Sequence, residues 1–365
     1  MTRYVNLRKY AEHDDEVDFV WAPANHYTPP DFPSRLRFLP NSLFMRARIL
    51  QQARPVLGQL GQLDAVMIHL FEGELLCALR SYFVRGPLLV SSTDEAPIVD
   101  RANYPLYPSH LAKPVWRQKL RLANDLWRVR RFDQFIPLSA WVAGILTDQC
   151  GAPKENVHPL HVGIDLELWK SVPKAPTTAN RLPRILFVGG DFVRKGGALL
   201  LEVFRERFQG RAELHLVTKQ APADLPPNVH VYRDFSPNDP RMIELYSTAD
   251  MMVVPTRADN GPLWVFLEAM AMRLPIIGTD TGSLSEQISD GNTGFIVGID
   301  DRQTLAAAID KLLSDGALRA DMGERGRALV EARYSAAVNV PLILRRMKDA
   351  VDASRREQVA ATAAP

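Results

Sequence analysis

The chain has 365 residues, enough for two ordinary domains, and its 44 Lys and Arg against 42 Asp and Glu leave a formal net charge of +2, which gives no reason to expect a nucleic-acid partner. Only two cysteines, Cys77 and Cys150, occur, which excludes a Cys-based metal cage and suits a reducing compartment. No apolar run reaches the roughly 18 residues of a membrane span, and the opening MTRYVNLRKYAEHDDEVD lacks the apolar core of a signal peptide, so a cytoplasmic protein is expected.

In chain order, residues 4–11 read as a helix, 17–21 as a strand and 44–57 as a basic amphipathic helix. DAVMIHL, residues 64–70, reads as a strand with His69 at its end and Glu72 just beyond. Each of those two fits either a satisfied polar group at a strand terminus or a site residue. A strand over 88–92 runs into Ser91-Ser92-Thr93-Asp94-Glu95-Ala96-Pro97. Asp94 there fits either a turn cap or a carboxylate that orients ligand hydroxyls. Residues 114–131, PVWRQKLRLANDLWRVRR, are the most basic stretch. Trp116, Leu120, Ala123 and Trp127 recur at helical spacing, with Arg117, Lys119, Arg121, Arg128, Arg130 and Arg131 around them. Such a helix either packs with its arginines solvated or lies on an anionic surface. A strand over 134–138 follows, and Ser139 is placed to cap the helix AWVAGILTDQCG. His158 and His161 have no third ligand nearby and read as structural. The proline-rich 172–183 reads as a loop or hinge.

A strand over 184–188 then leads into Gly189-Gly190-Asp191-Phe192-Val193-Arg194-Lys195-Gly196-Gly197 and the helix ALLLEVFRERF. A glycine turn from strand into helix aims backbone N–H groups and the positive helix end at one spot. Lys195 adds a mobile cation there. In physical terms this is a diphosphate site, although the same pattern also describes a tight turn beside a solvated Lys. Strands over 213–217 and 229–232 and a helix over 239–249 come next.

Residues 250–297 repeat one unit in short steps: strand 251–254, the polar turn TRADNGP, the helix LWVFLEAMAM, strand 275–278, a helix opened by Gly282-Ser283, and strand 294–297. Such steps require parallel strands joined by crossover helices. Ligands of such sheets bind beyond the carboxyl ends of the strands, where TRADNG and TDTGS fall. Glu268 interrupts an apolar helix. A carboxylate there is costly to bury without a partner, so it is either solvated or aimed at ligand hydroxyls. Helices over 301–313, 318–332 and 336–351 complete the pattern, and the Ala-rich 355–365 is expected to fray.

These strings resemble the donor half of family 4 retaining glycosyltransferases of the GT-B fold. Pro255-Thr256, Gly261, Glu268-Ala269-Met270-Ala271, Pro275-Ile276-Ile277, Thr281-Gly282, Glu286 and Asp290-Gly291-Asn292-Thr293-Gly294-Phe295 stand in register with the family pattern, and Lys195-Gly196-Gly197 matches its phosphate motif. The resemblance implies two Rossmann-like, doubly wound domains facing across a cleft. Residues 1–165 would form the acceptor side, 166–335 the donor domain, and 336–365 a helix crossing back with a tail. It implies a nucleotide diphosphate sugar as donor substrate, with no cofactor and no metal: no Asp-x-Asp occurs. Transfer would go, with retention, to a glycan, lipid-linked or small-molecule acceptor, and residues 114–131 could touch the inner membrane face. Lys195, Arg194, Asn260 and Asp94 are the implied catalytic residues. Gly189, Gly190, Lys195, Gly261, Leu263, Glu268, Thr281 and Glu286 are the implied donor-binding ones, and His69 matches a histidine that the family often places at a strand end.

Departures stand beside the matches. The family's first glutamate, seven residues before Glu268 with none counted at either end, falls on Asn260, with Asp259 next door. The arginine five residues before the family's Lys is Gly190 here, so Arg194 is the candidate second cation. Pro262 removes a backbone N–H from the turn. No opening strand and Gly-rich loop are visible, so the sequence is expected to begin inside the first βα unit. A non-catalytic nucleotide-sugar-binding relative, a fragment, and a nucleotide-sugar epimerase remain as alternatives.

Overall fold

A computed structural model describes residues 2–21, 54–69, 86–94, 114–171, 181–235 and 239–363. Its first sheet is parallel and orders β1 (Ala65–His69), β2 (Leu88–Ser92) and β3 (Gln134–Phe135) side by side. The strand expected over 134–138 is cut to two residues. Pro137 cannot donate to a ladder, although Ile136 and Leu138 still donate to the carbonyls of Ser91 and Thr93. Helix α1 (Thr2–Ala11) precedes this sheet, with the short α2 (Arg54–Leu57), α3 (Val115–Val129) and α4 (Ala140–Asp148) around it. Ser139 caps α4, its hydroxyl accepting from the Val142 N–H at 3.2 Å. Residues 17–21 form no strand. Phe19 and Trp21 instead stack on each other at 5.3 Å, and the Trp21 ring meets Tyr4 of α1 edge-on, so their aromatic area covers a helix.

The second sheet is wholly parallel and has six strands: β4 (Arg184–Val188), β5 (Glu213–Val217), β6 (Val229–Tyr232), β7 (Met251–Val254), β8 (Ile276–Thr279) and β9 (Gly294–Val297). Their spatial order is β6-β5-β4-β7-β8-β9, the doubly wound arrangement in which the winding reverses between the first and fourth strands. The central strands are uniformly apolar because helices cover both faces; all of Met251 to Val254 is buried. Those helices are α5 (Gly197–Arg207), α6 (Pro240–Thr248), α7 (Trp264–Ala271), α8 (Arg302–Ser314) and α9 (Gly316–Arg333). The helix expected after Gly282-Ser283 is a single 3-10 turn, Leu284–Glu286.

The last helix, α10 (Ala336–Ala363), does not fray at 355. Its Ala-rich end has high helix propensity, and Arg355 pairs with Asp64 at 2.5 Å. Val340, Ile343 and Leu344 of α10 share one apolar cluster with Ala11 of α1, Val90 of β2 and Ile136, so the chain's end closes over the first sheet. The two links between the sheets lie side by side, with the Ile164 N–H donating to Tyr334 and the Ala336 N–H to Ile164. No helix among the described residues is long and apolar enough to cross a membrane.

Candidate functional site

In a doubly wound sheet the loops after the two strands that flank the reversal diverge and leave a crevice between them. Here these are the loops 189–196 after β4 and 255–263 after β7, and they are stitched together. The Arg257 N–H donates to the Arg194 carbonyl at 2.8 Å, and the Thr256 hydroxyl oxygen lies 3.2 Å from the same carbonyl. Gly196 enters α5 at φ +77°, and a Cβ there would lie 2.0 Å from the Pro255 carbonyl oxygen, so only glycine fits the turn.

The chemistry of the crevice is one ionic cluster. The Lys195 ammonium donates to both carboxylate oxygens of Asp259 at 2.8 Å, Arg194 Nη1 donates to Asp259 Oδ1 at 3.0 Å and to the Ala258 carbonyl at 2.8 Å, and the Thr256 hydroxyl donates to Asp259 Oδ2 at 2.6 Å. The Lys195 and Asp259 side chains are 14% and 10% exposed. Burial lowers the Lys195 pKa, and the Asp259 charge is the largest influence holding it up. Two cations thus converge on the Asp259 carboxylate, and Arg194 also pairs with Asp191 at 3.3 Å. Gly189 packs against Lys195 and Phe187, while a Cβ on Gly190 would meet only open space.

The carboxylate on the cations is that of Asp259, next to Asn260, the residue that stands in the place of the family's first glutamate. Asn260 contributes backbone that packs on Gly282.

Glu268 is buried in α7 and accepts from the Tyr246 hydroxyl at 2.7 Å. Desolvation pushes its pKa up to about 7, and the Tyr246 hydrogen bond pulls the other way. Leu263 has its N–H donating to Gln287 Oε1 at 2.7 Å and its carbonyl accepting from Gln287 Nε2 at 3.1 Å, so this side chain serves as the cap of α7. The hydroxyl oxygens of Thr281 and Ser283 are buried at the crevice without a protein partner. Glu286 reaches the other sheet. Its two carboxylate oxygens accept from the Ala140 N–H at 2.9 Å and the Trp141 N–H at 2.7 Å, at the exposed N-terminus of α4. A cavity of about 520 Å³ opens beside this clasp, lined by Ala140, Glu286, Ser289, Asn292, Arg325 and Arg333, and it does not include Lys195.

On the facing side, Asp94 follows β2, and its carbonyl oxygen would lie 2.6 Å from a Cβ on Gly261, so the two sheets' loops touch there and a larger residue would part them. Asp94 Oδ1 is buried with no hydrogen-bond partner. Arg3 of α1 is buried nearby and donates to the Ser92 hydroxyl; burial pulls its pKa down to about 10 while the Asp94 charge supports it. His161 is buried against Trp264, at 4.9 Å, and Tyr334, at 5.4 Å, and burial pulls its pKa down to about 3, so it is neutral. Its Nδ1 accepts from the Gly163 N–H at 2.8 Å. Nothing in the residue pattern singles out Arg3, since one Arg on an N-terminal helix is ordinarily solvated. His69 ends β1, and its side chain, with Glu72 and residues 95–97, lies outside the described residues.

The stripe Trp116, Leu120, Ala123 and Trp127 of α3 faces outward, with Trp116 61% and Leu120 64% exposed, while Asp125, Arg128 and Val129 are buried. Arg117 and Arg131 lie over the Trp116 and Trp127 rings at 5.1 and 3.8 Å.

Residues 182–315 match the model of the family described as glycosyl transferases group 1. The chain is 35% identical over 112 residues to the capsular polysaccharide biosynthesis glycosyltransferase CapM of Staphylococcus aureus, a stretch that is 31% of this chain and 28% of that one. The matches to the first curated relatives thus span less than a third of their length. Among solved structures, sucrose-phosphate synthase from Thermosynechococcus elongatus superposes with a TM-score of 0.70 at 19% identity, covering 87% of this chain and 81% of that one. Anabaena HepE in complex with UDP-glucose superposes at 0.63 and 17% identity, covering 85% and 84%. Residues 182–315 are thus similar to the group 1 glycosyltransferases, and the two parallel sheets and these superpositions give the chain the GT-B fold.

Proposed function

We propose that the chain transfers a sugar from a nucleotide diphosphate sugar to a glycan, lipid-linked or small-molecule hydroxyl acceptor with retention of anomeric configuration. The observation that carries this is the pair Lys195 and Arg194, which converge on the Asp259 carboxylate at the reversal of the doubly wound sheet. A diphosphate offers more negative charge and more acceptor oxygens than the Asp259 carboxylate, so donor binding exchanges one anionic partner of Lys195 for a stronger one. HepE, a neighbour in fold, has been seen with UDP-glucose, which supports a nucleotide sugar as the donor class.

In the reaction the bond from the anomeric carbon to the phosphate oxygen breaks and a bond to the acceptor oxygen forms on the same face. The acceptor's proton passes to the departing phosphate. Lys195 and Arg194 stabilise the charge that develops on the leaving group, a role that fixed cations fill without a metal ion. Asp94 and, from α1, Arg3 orient the acceptor, and contact between the Asp94 and Gly261 loops excludes water from the donor. The outward face of α3, with aromatic rings overlain by arginines, is the surface we assign to an anionic membrane that carries a lipid-linked acceptor. Co-sedimentation with vesicles containing anionic lipid, lost in Trp116→Glu, is the expected result; equal pelleting with neutral vesicles refutes it.

The deciding experiment for the transfer is a panel of UDP, GDP and ADP sugars incubated with candidate acceptors, reading release of free nucleoside diphosphate and, by proton NMR, the anomeric configuration of product. Acceptor-dependent release is expected. Donor binding that never yields nucleoside diphosphate identifies a binding relative instead.

A further inference from the structure

We propose that Glu213, His215 and His230 form a binding site for a divalent transition-metal ion, of which Zn2+ is the best-suited occupant, on the β5–β6 edge of the second sheet. Glu213 and His215 alternate along β5 and therefore face the same way. His230 of β6 is the register partner of His215 and lies on that same face. The donor atoms of the three side chains all lie within 4.8 Å of one another.

The donor set is two imidazoles and one carboxylate, a combination that suits Zn2+ and other borderline ions rather than Mg2+ or Ca2+. The spacing agrees. Two ligands about 2.1 Å from a tetrahedral zinc stand roughly 3.4 Å apart, and His215 Nε2 lies 3.4 Å from Glu213 Oε2. That separation is long for a hydrogen bond and right for a shared ion. The other ring nitrogen, Nδ1, is 2.9 Å from the Tyr232 hydroxyl, an outer contact that fixes the ring with Nε2 facing Glu213. His215 is 8% exposed, so its ring is held in place by the surrounding sheet. The His230 ring is stacked on that of His215 at 4.9 Å, with 29° between planes, and is exposed. A turn about its side-chain bonds swings a nitrogen toward the other two donors, so the site closes on the ion without moving the backbone. Arg184 also donates to Glu213 Oε2, at 2.9 Å, so the ion shares this carboxylate with a guanidinium. The site lies along β5 and β6, away from the loops after β4 and β7, and pins the sheet's edge strand to its neighbour.

Calorimetric titration of Zn2+ into the full chain, made without a histidine tag, tests this. His230→Ala is the informative variant, because an exposed ring is removed and folding is not threatened; Glu213→Gln is the second, and His13→Ala the control. Binding of Zn2+ that weakens at least tenfold in both His230→Ala and Glu213→Gln and is unchanged in His13→Ala is the expected result. Co2+ in place of zinc should give the intense visible bands of a tetrahedral ion in the wild type and lose them in His230→Ala. No Zn2+ binding, or an affinity that His230→Ala leaves intact, overturns the proposal.

Discussion

The two faces of the crevice are built in different ways. The face we propose for the donor comes from a single sheet: Arg194, Lys195, Thr256 and Asp259 lie on two loops that leave adjacent strands, and they satisfy one another. The opposing face is assembled from distant segments. Arg3 of α1 meets Ser92 across 89 residues, and Lys348 of α10 holds Asp14 at 2.9 Å across 334. A site made within one sheet depends on the turns that leave its strands, whereas one made by remote segments depends on the whole chain closing. The donor face is therefore the part that a sequence pattern can report, and the facing side is the part that tertiary packing decides.

The sharpest test of that contrast is Lys195→Ala. Losing a charge-assisted contact to phosphate costs about 1.5–3 kcal/mol, or roughly 10- to 100-fold in affinity. Titration should show this loss for UDP, GDP or ADP and almost none for the matching nucleoside. Equal losses for both would mean that the lysine serves only to neutralise Asp259, and the donor face would lose its defining feature.

Glu268 gives the next effect, and its sign is fixed by burial. Its pKa rises from the ordinary 4.5 to about 7 on folding, so between those values the native state holds a proton that the unfolded chain has released. Stability attributable to this group is complete below the lower value and falls as pH rises toward the upper one, at up to about 1.4 kcal/mol per pH unit. Glu268→Gln should flatten that limb when urea midpoints are compared at both ends of the range. A variant that keeps the wild-type slope would show that Glu268 is not the group responsible. The same variant measured for nucleotide affinity separates its roles: weaker binding assigns the carboxylate to the ribose, and unchanged binding leaves it to the Tyr246 contact.

Much of the second sheet could be read directly. Short apolar runs separated by glycine-rich turns admit only parallel strands with crossovers, and β4, β7, β8 and β9 lie where that pattern puts them. The Ser139 cap was equally local. What could not be read has a common physical origin. Residues 17–21 alternate like a strand, yet their aromatic rings found a helix to cover. The apolar stripe of α3 has helical spacing, yet it faces outward while Asp125 and Arg128 are buried together, and periodicity alone does not say which face finds a partner. Arg3 and Asp94 are brought near each other only after α1 and α10 have docked, and no spacing in the sequence encodes that meeting. The pairing of Asp259 with Lys195 and Arg194 is a smaller case, since it joins two loops 64 residues apart.

The smallest effect concerns the clasp that joins the two faces. Glu286 stands at the donor loops but spends its carboxylate on the first two amides of α4, next to the local cap from Ser139. Each cap contributes about 1 kcal/mol, so Glu286→Ala and Ser139→Ala should lower global stability by similar amounts. They differ in reach. Ser139→Ala loosens only the start of α4, whereas Glu286→Ala also removes a tie between the sheets, so amide exchange should quicken at Ala140 and Trp141 and at the Asp94–Gly261 contact as well. Identical exchange patterns in the two variants would reduce Glu286 to a second helix cap. A wider pattern for Glu286→Ala would mean that the carboxylate helps set how far the donor face and its partner open.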